Sequence, residues 1–129
     1  MSGIKTLSCL VALLASPVVA NQASPDPQLR FFASCTGRLS ALIEYQWTHD
    51  TAVVDQTIAQ RNAMVTLITA VMPPDAGRDV LLMRVEAKHA QAALLQRATR
   101  AATPAEAEWA MQRADALLQD CTSVLLPVS

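Results

Sequence analysis

Apolar residues recur at steps of three and four along most of the chain, which is the spacing of one face of an α-helix. The pattern is clearest between Asp26 and Thr48, where the stripe consists of Leu29, Phe32, Cys35, Leu39, Leu42, Ile43 and Gln46. Pro27 suits the first turn of this helix, and Ser24 or Asp26 can cap it. Because the segment also holds four of the five aromatic residues, it predicts a first helix around which the others pack.

Two further helices are predicted downstream. The second runs from about 52 to 72 and ends at Pro73 and Pro74, since proline disfavours helix in the residue before it. Its apolar positions are Val54, Ile58, Met64, Val65, Leu67, Ile68, Val71 and Met72. The third is capped by Asp75 and runs from about 76 to 101. Most of its stripe residues are small, which favours close packing: Val80, Met83, Ala87, Ala90, Leu94, Ala98 and Ala101.

A fourth helix begins at a capping box. Thr103 is the cap, Pro104 takes the first helical position and Glu106 stands three residues after the cap. The helix continues to about Val124, and its stripe comprises Ala107, Ala110, Ala114, Leu117, Cys121 and Val124. Four helices of similar length joined by short turns predict one all-α domain over 27–126, an up-down-up-down four-helix bundle.

Two positions test this topology. Cys35 and Cys121 fall on the stripes of the first and fourth helices at the same end of the bundle, so we expect one disulfide between helices 1 and 4; two buried free thiols are the alternative. Gly37 interrupts the first helix away from its stripe, at a cost of about 1 kcal/mol relative to alanine. We interpret it as a tolerated weakness or slight bend, and close approach by another chain is the alternative.

The first twenty residues differ from the rest. Lys5, an apolar run from 7 to 15 and the small residues before Asn21 are typical of a secretory signal peptide over 1–20, cleaved near Ala20. The run is shorter than the ~20 residues that span a bilayer, although a membrane-anchored N-terminus is the alternative. Residues 21–26 would form a loose leader. The sequence therefore predicts a periplasmic or secreted protein without a stable membrane span after processing.

Charge and composition exclude other classes. Loss of Lys5 with the signal peptide changes the formal net charge from −1 to −2, which disfavours nucleic acid as a partner. Glu86 and His89 resemble half of a di-iron motif, but a second such motif is missing and His49 lies in a turn. Haem attachment and nucleophile–base pairs are equally unsupported. We therefore predict no metal, no cofactor and no catalytic residue.

One group of residues remains as a candidate binding surface. The topology brings the end of the first helix, the end of the third and the start of the fourth to one pole. This aromatic pole contains Tyr45, Trp47, His49, Arg97, Arg100 and Trp109. Aromatic side chains give large contact areas at low entropic cost, which binding surfaces favour. The alternative is an apolar plug that closes the bundle end beneath arginine stems.

These patterns predict a small exported protein of non-enzymatic type that binds another envelope protein. The alternative function is a carrier of a small apolar or metal-containing ligand within the bundle, suggested by the alanine-rich helices and several methionines. An enzyme of undetected type ranks third. The sequence makes no prediction of oligomeric state.

Overall fold

A computed structural model describes residues 24–125 and shows four α-helices. They are α1 (Pro27–His49), α2 (Val54–Val71), α3 (Gly77–Arg100) and α4 (Pro104–Thr122), with a short 3-10 turn, Thr51–Val53, before α2. The predicted all-α class and helical bundle are therefore confirmed. None of the helices in this range is long and apolar enough to cross a membrane. The predicted signal peptide, 1–20, lies outside the described residues.

The first helix is the centre of the packing. It makes its most extensive contacts with α3, then with α2, and it meets α4 over a smaller area, while α3 also packs on α4. Side chains from all four helices form one hydrophobic core: Leu29, Phe32, Ala33, Cys35, Leu39, Met64, Ile68, Val80, Leu118 and Cys121. Half of these residues belong to α1, as the richness of its stripe in large side chains predicts.

The predicted disulfide joins α1 to α4. Cys35 and Cys121 are bonded, their Cα atoms are 5.4 Å apart, and both residues are fully buried. The bridge closes a sequence separation of 86 residues. It therefore links the N-terminal half of α1 to the last turn of α4, as the predicted topology requires.

Gly37 is the point of closest approach between α1 and α3, and our interpretation of it as a tolerated weakness was wrong. A Cβ atom at this position would lie 2.2 Å from the carbonyl oxygen of Arg84 and 2.9 Å from the backbone nitrogen of Lys88. Only a residue without a side chain lets the α3 backbone come this near. The close approach is made by a helix of the same chain.

Two of the predicted helix caps are confirmed and one is wrong. The Asp26 carboxylate accepts from the backbone N–H of Gln28 at 2.7 Å, and the Thr103 hydroxyl accepts from that of Glu106 at 3.3 Å. Asp75 does not cap α3, because it lies in a turn that is closed by a hydrogen bond from Ala76 to the Pro73 carbonyl. The cap position belongs to Ala76.

The buried faces of α2 and α3 differ from the predicted stripes. Val65, Val71 and Met72 are exposed, because α2 packs mainly against α1 and buries a narrow face. On α3 the predicted core residue Ala90 is exposed and its neighbour Gln91 is buried. The Gln91 amide donates to the Ala114 carbonyl of α4 at 3.1 Å. The buried face of α3 therefore includes a polar contact with α4.

Candidate binding surface

The C-terminal turn of α1 carries the first part of the aromatic pole. Tyr45 and His49 are four residues apart, which places them one above the other on the helix surface. Their rings are stacked, with centroids 3.9 Å apart and an angle of 9° between the ring planes. The pair presents one flat aromatic surface.

Hydrogen bonds fix the orientation of the histidine. His49 Nδ1 lies 2.8 Å from the Tyr45 carbonyl oxygen and 2.7 Å from the hydroxyl oxygen of Thr48, which itself donates to the same carbonyl. A carbonyl oxygen can only accept, so Nδ1 carries the proton in this contact. The other ring nitrogen, Nε2, takes no part in these hydrogen bonds.

The stacked pair borders a cavity of about 240 Å³ between the C-terminal halves of α1 and α3. Polar groups and small apolar side chains alternate around it: Ala41, Glu44, Tyr45, Thr48, His49, Ala92, Leu95, Gln96, Thr99 and Arg100. Glu44 forms an ion pair with Lys88 of α3 at its edge. Three residues of the predicted pole, Tyr45, His49 and Arg100, therefore share one cavity.

Trp109 belongs to a second group on the α4 side of the pole. The Arg97 guanidinium lies 5.8 Å from the centre of the Trp109 ring, within the range of a cation–π contact. Arg97 Nε is also 3.4 Å from an oxygen of Glu106. A groove that includes Arg97 and Glu106 shares Gln96 and Arg100 with the first cavity, so the two groups are adjacent.

Trp47 lies apart from these groups. It is two residues from Tyr45 in a helix, so the two side chains leave α1 on nearly opposite sides. Its exposed fraction is 58 %, and that of Trp109 is 51 %. The structure thus places Tyr45, His49, Arg97, Arg100 and Trp109 in one region and Trp47 on another flank of α1. An apolar plug that closes the bundle end would bury its indole rings, whereas both tryptophan side chains are about half exposed.

No protein-family model, curated protein or solved structure matches this chain. The geometry of its own residues is therefore the basis for any proposal about its function. Among residues 24–125, no group of three histidine, cysteine, aspartate or glutamate side chains is close enough together to hold a metal ion. His89 of the partial di-iron pattern is exposed on α3.

Sequence reasoning missed an exposed apolar patch outside the pole, in the N-terminal half of α3. Leu81, Leu82 and Val85 of α3 are exposed large apolar residues. They fall outside the predicted stripe of α3. Three large apolar side chains off the stripe are the sequence feature that could have identified this patch. The polar lining of the first cavity, Glu44 and Gln96 among it, was not predictable, because it depends on where α1 and α3 separate.

Proposed function

We propose that the protein is a small exported module without enzymatic activity, which binds another protein of the cell envelope through its aromatic pole. The exposure of Trp109 carries the proposal. Its ring is half exposed although Arg97 lies over it. Arg97 lines the groove that adjoins the cavity bordered by Tyr45 and His49. Tryptophan, tyrosine and arginine are the residues that dominate binding energy at protein interfaces.

The order of the pole supports this function. Tyr45 and His49 are held by their mutual stacking, and Arg97 is held by Glu106 and Trp109. Side chains that are already oriented lose less entropy on binding, so more of the contact energy appears as affinity. The helices beneath them belong to a core cross-linked by the disulfide.

Export is supported by two independent features. The pattern over residues 1–20 is typical of a cleaved signal peptide. The bond between Cys35 and Cys121 is of a kind that persists in oxidising compartments. The intact mass of protein secreted by cells tests both, because processing near Ala20 and a disulfide each change the mass by a defined amount.

Affinity capture from envelope extracts tests the binding surface. Wild type is compared with Trp109→Ala and Tyr45→Ala, and with Val65→Ala as a control at an exposed apolar residue of α2. A partner of the pole is lost with the first two variants and retained with the control. Retention of every captured protein by both pole variants would refute the pole as the binding surface.

A carrier function is the second candidate, and one observation favours it. The side-chain oxygens of Gln46 and Gln91 are buried and have no hydrogen-bond partner among residues 24–125. Such acceptors could receive hydrogen bonds from a ligand within the bundle. Native mass spectrometry distinguishes the two functions, since a carrier shows an added mass that disappears on denaturation. An enzymatic role ranks third.

A further inference from the structure

A second cleft lies along α1, on the flank away from Trp47. Arg30, Ser34 and Arg38 are spaced four residues apart, so their side chains stand one turn apart on one side of the helix. All three line a cleft of about 280 Å³ between α1 and α3. The opposite wall belongs to α3 and consists of Met83, Glu86, Ala87 and Ala90.

Arg38 is half-buried in this cleft, and no carboxylate of the described residues pairs with it. Its Nη1 atom lies 3.8 Å from Cys121 Sγ, and sulfur is a weak acceptor. Among residues 24–125, no carboxylate oxygen lies within 4.0 Å of Arg30 or Arg38; the ion pairs found there are Lys88–Glu44 and Arg97–Glu106.

The charges around Arg38 do not balance its burial. Burial lowers the pKa of Arg38 below its ordinary value; nearby Asp120 raises it in part, and Arg113 lowers it further. The guanidinium has therefore lost water without gaining an ion pair, and a second cation is close by. An anion bound at this position would relieve both effects.

The hydroxyl of Ser34 is also available to a ligand. Thr36 and Ser40 on the same helix donate their hydroxyl hydrogens to carbonyls one turn earlier, those of Phe32 and Thr36. The Ser34 hydroxyl forms no such bond within the described part of the chain. It lies between the two arginines, where it can donate to an anion that they hold.

We propose that this cleft binds a small organic carboxylate with a short apolar tail. The Arg38 guanidinium and the Ser34 hydroxyl donate to the carboxylate, and Arg30 adds a second positive charge. The tail packs against Met83, Ala87 and Ala90. The cleft's volume of about 280 Å³ is far above the ~10–15 Å³ that one water molecule needs in the same measure, so the cleft admits a carboxylate with a tail of a few carbons.

A substitution at Glu86 should change the affinity for a carboxylate in the opposite direction to a substitution at Arg30 or Arg38. Glu86 is the carboxylate among the cleft's lining residues, and it repels an anionic ligand from the α3 side. Removing its charge with Glu86→Gln should tighten binding of a carboxylate severalfold. Removing a donor with Arg38→Gln or Arg30→Gln should weaken it. A purely structural role of these residues would not predict opposite signs.

Hexanoate is the probe, and the Nε–Hε signals of the arginines in NMR spectra of the full exported chain report its binding. We expect the Arg38 signal to shift on addition of hexanoate, with at least about tenfold weaker binding in Arg38→Gln and in Arg30→Gln, since charged hydrogen bonds are the strong ones. Arg61→Gln on α2 is the matched control and leaves affinity unchanged. Arg30 is exposed, so its variant is informative even if Arg38→Gln fails to fold.

Three results would overturn the proposal. The first is the absence of any shift at Arg30 and Arg38 with hexanoate up to about 20 mM, far above a Kd of ~1 mM for a weak small-ligand site. The second is an equal loss of affinity in Arg61→Gln. The third is equal affinity for inorganic phosphate or for hexan-1-ol, because the proposed site needs both the carboxylate and the tail.

Discussion

Replacing Gly37 by alanine should destabilise the protein, although alanine is the better helix former. The new Cβ atom would lie 2.2 Å from the Arg84 carbonyl oxygen and 2.9 Å from the Lys88 nitrogen. Both are backbone atoms of α3, which cannot rotate away as a side chain could. Reaching an ordinary contact distance of about 3.5 Å requires α1 and α3 to separate by roughly 1 Å.

The expected magnitude follows from two opposing terms. Overpacking of a tight contact costs about 1–3 kcal/mol, and the upper end applies because the clash is with backbone. Alanine regains about 1 kcal/mol of helix propensity. The free energy of unfolding of Gly37→Ala should therefore fall by about 2 kcal/mol. For a domain of this size the melting temperature should fall by about 8–16 °C.

Urea unfolding followed by circular dichroism, with the disulfide intact, measures this change. Gly77→Ala is the matched control, because Gly77 is exposed at the start of α3 and an added Cβ meets nothing within 4 Å. We expect the control to equal wild type or to gain about 0.5 kcal/mol from the less flexible unfolded chain. Equal stability of the two variants would refute a backbone contact between α1 and α3 at Gly37.

Three further predictions test the disulfide, the α4 cap and the buried glutamine. Cys35→Ala combined with Cys121→Ala should cost about 4 kcal/mol in chemical denaturation, because the bridge closes a long loop; an unchanged midpoint would contradict this. Thr103→Ala should lower the free energy of unfolding by about 1 kcal/mol through loss of the α4 cap, whereas Thr103→Ser should not. Gln91→Met should leave the melting temperature unchanged or raise it, since it removes one hydrogen bond to Ala114 together with a buried oxygen that has no hydrogen-bond partner among the described residues. A clear fall in the melting temperature would show that the hydrogen bond stabilises the protein by more than the buried Gln91 oxygen destabilises it.

The elements that the sequence predicts well are those set by local chemistry. The Thr103 cap and Pro104 begin α4, Pro73 follows the end of α2, and the stripe of α1 forms the core. The disulfide was also predictable, because two cysteines on the core stripes of two helices at the same end of a bundle lie close enough to bond. In each case the deciding interaction involves few residues or a single helix face.

The errors concern positions whose role depends on a neighbouring helix. Ala90 and Gln91 are equally compatible with a helix stripe, and Gln91 faces α4, where its amide donates to the Ala114 carbonyl. Val65 lies on the predicted face of α2 but is exposed, because α2 packs mainly on α1. Periodicity identifies a face to within one residue, whereas the rotation of a helix is set by its partners.

The aromatic pole shows the same division. Topology alone brings Tyr45, His49, Arg100 and Trp109 to one end of the bundle, and that part of the prediction needs no side-chain detail. The separation of Trp47 from Tyr45 was readable from their spacing, since residues two apart do not share a helix face. The cavity beside Tyr45 was not readable, because its walls come from two helices at a distance set by their crossing.

The crossing of α1 and α3 connects Gly37 to the candidate surface. The backbones of α1 and α3 touch at Gly37, whereas two turns later, at Tyr45, a cavity of about 240 Å³ lies between the same helices. Two straight helices that cross at a contact point diverge from it, so a change in their distance or angle at Gly37 also changes how far apart they are at the pole. Gly37→Ala should therefore alter the cavity as well as stability. In NMR spectra of the variant, the His49 ring signals should shift although that residue lies three turns away; unchanged ring signals would show that the pole is independent of the crossing.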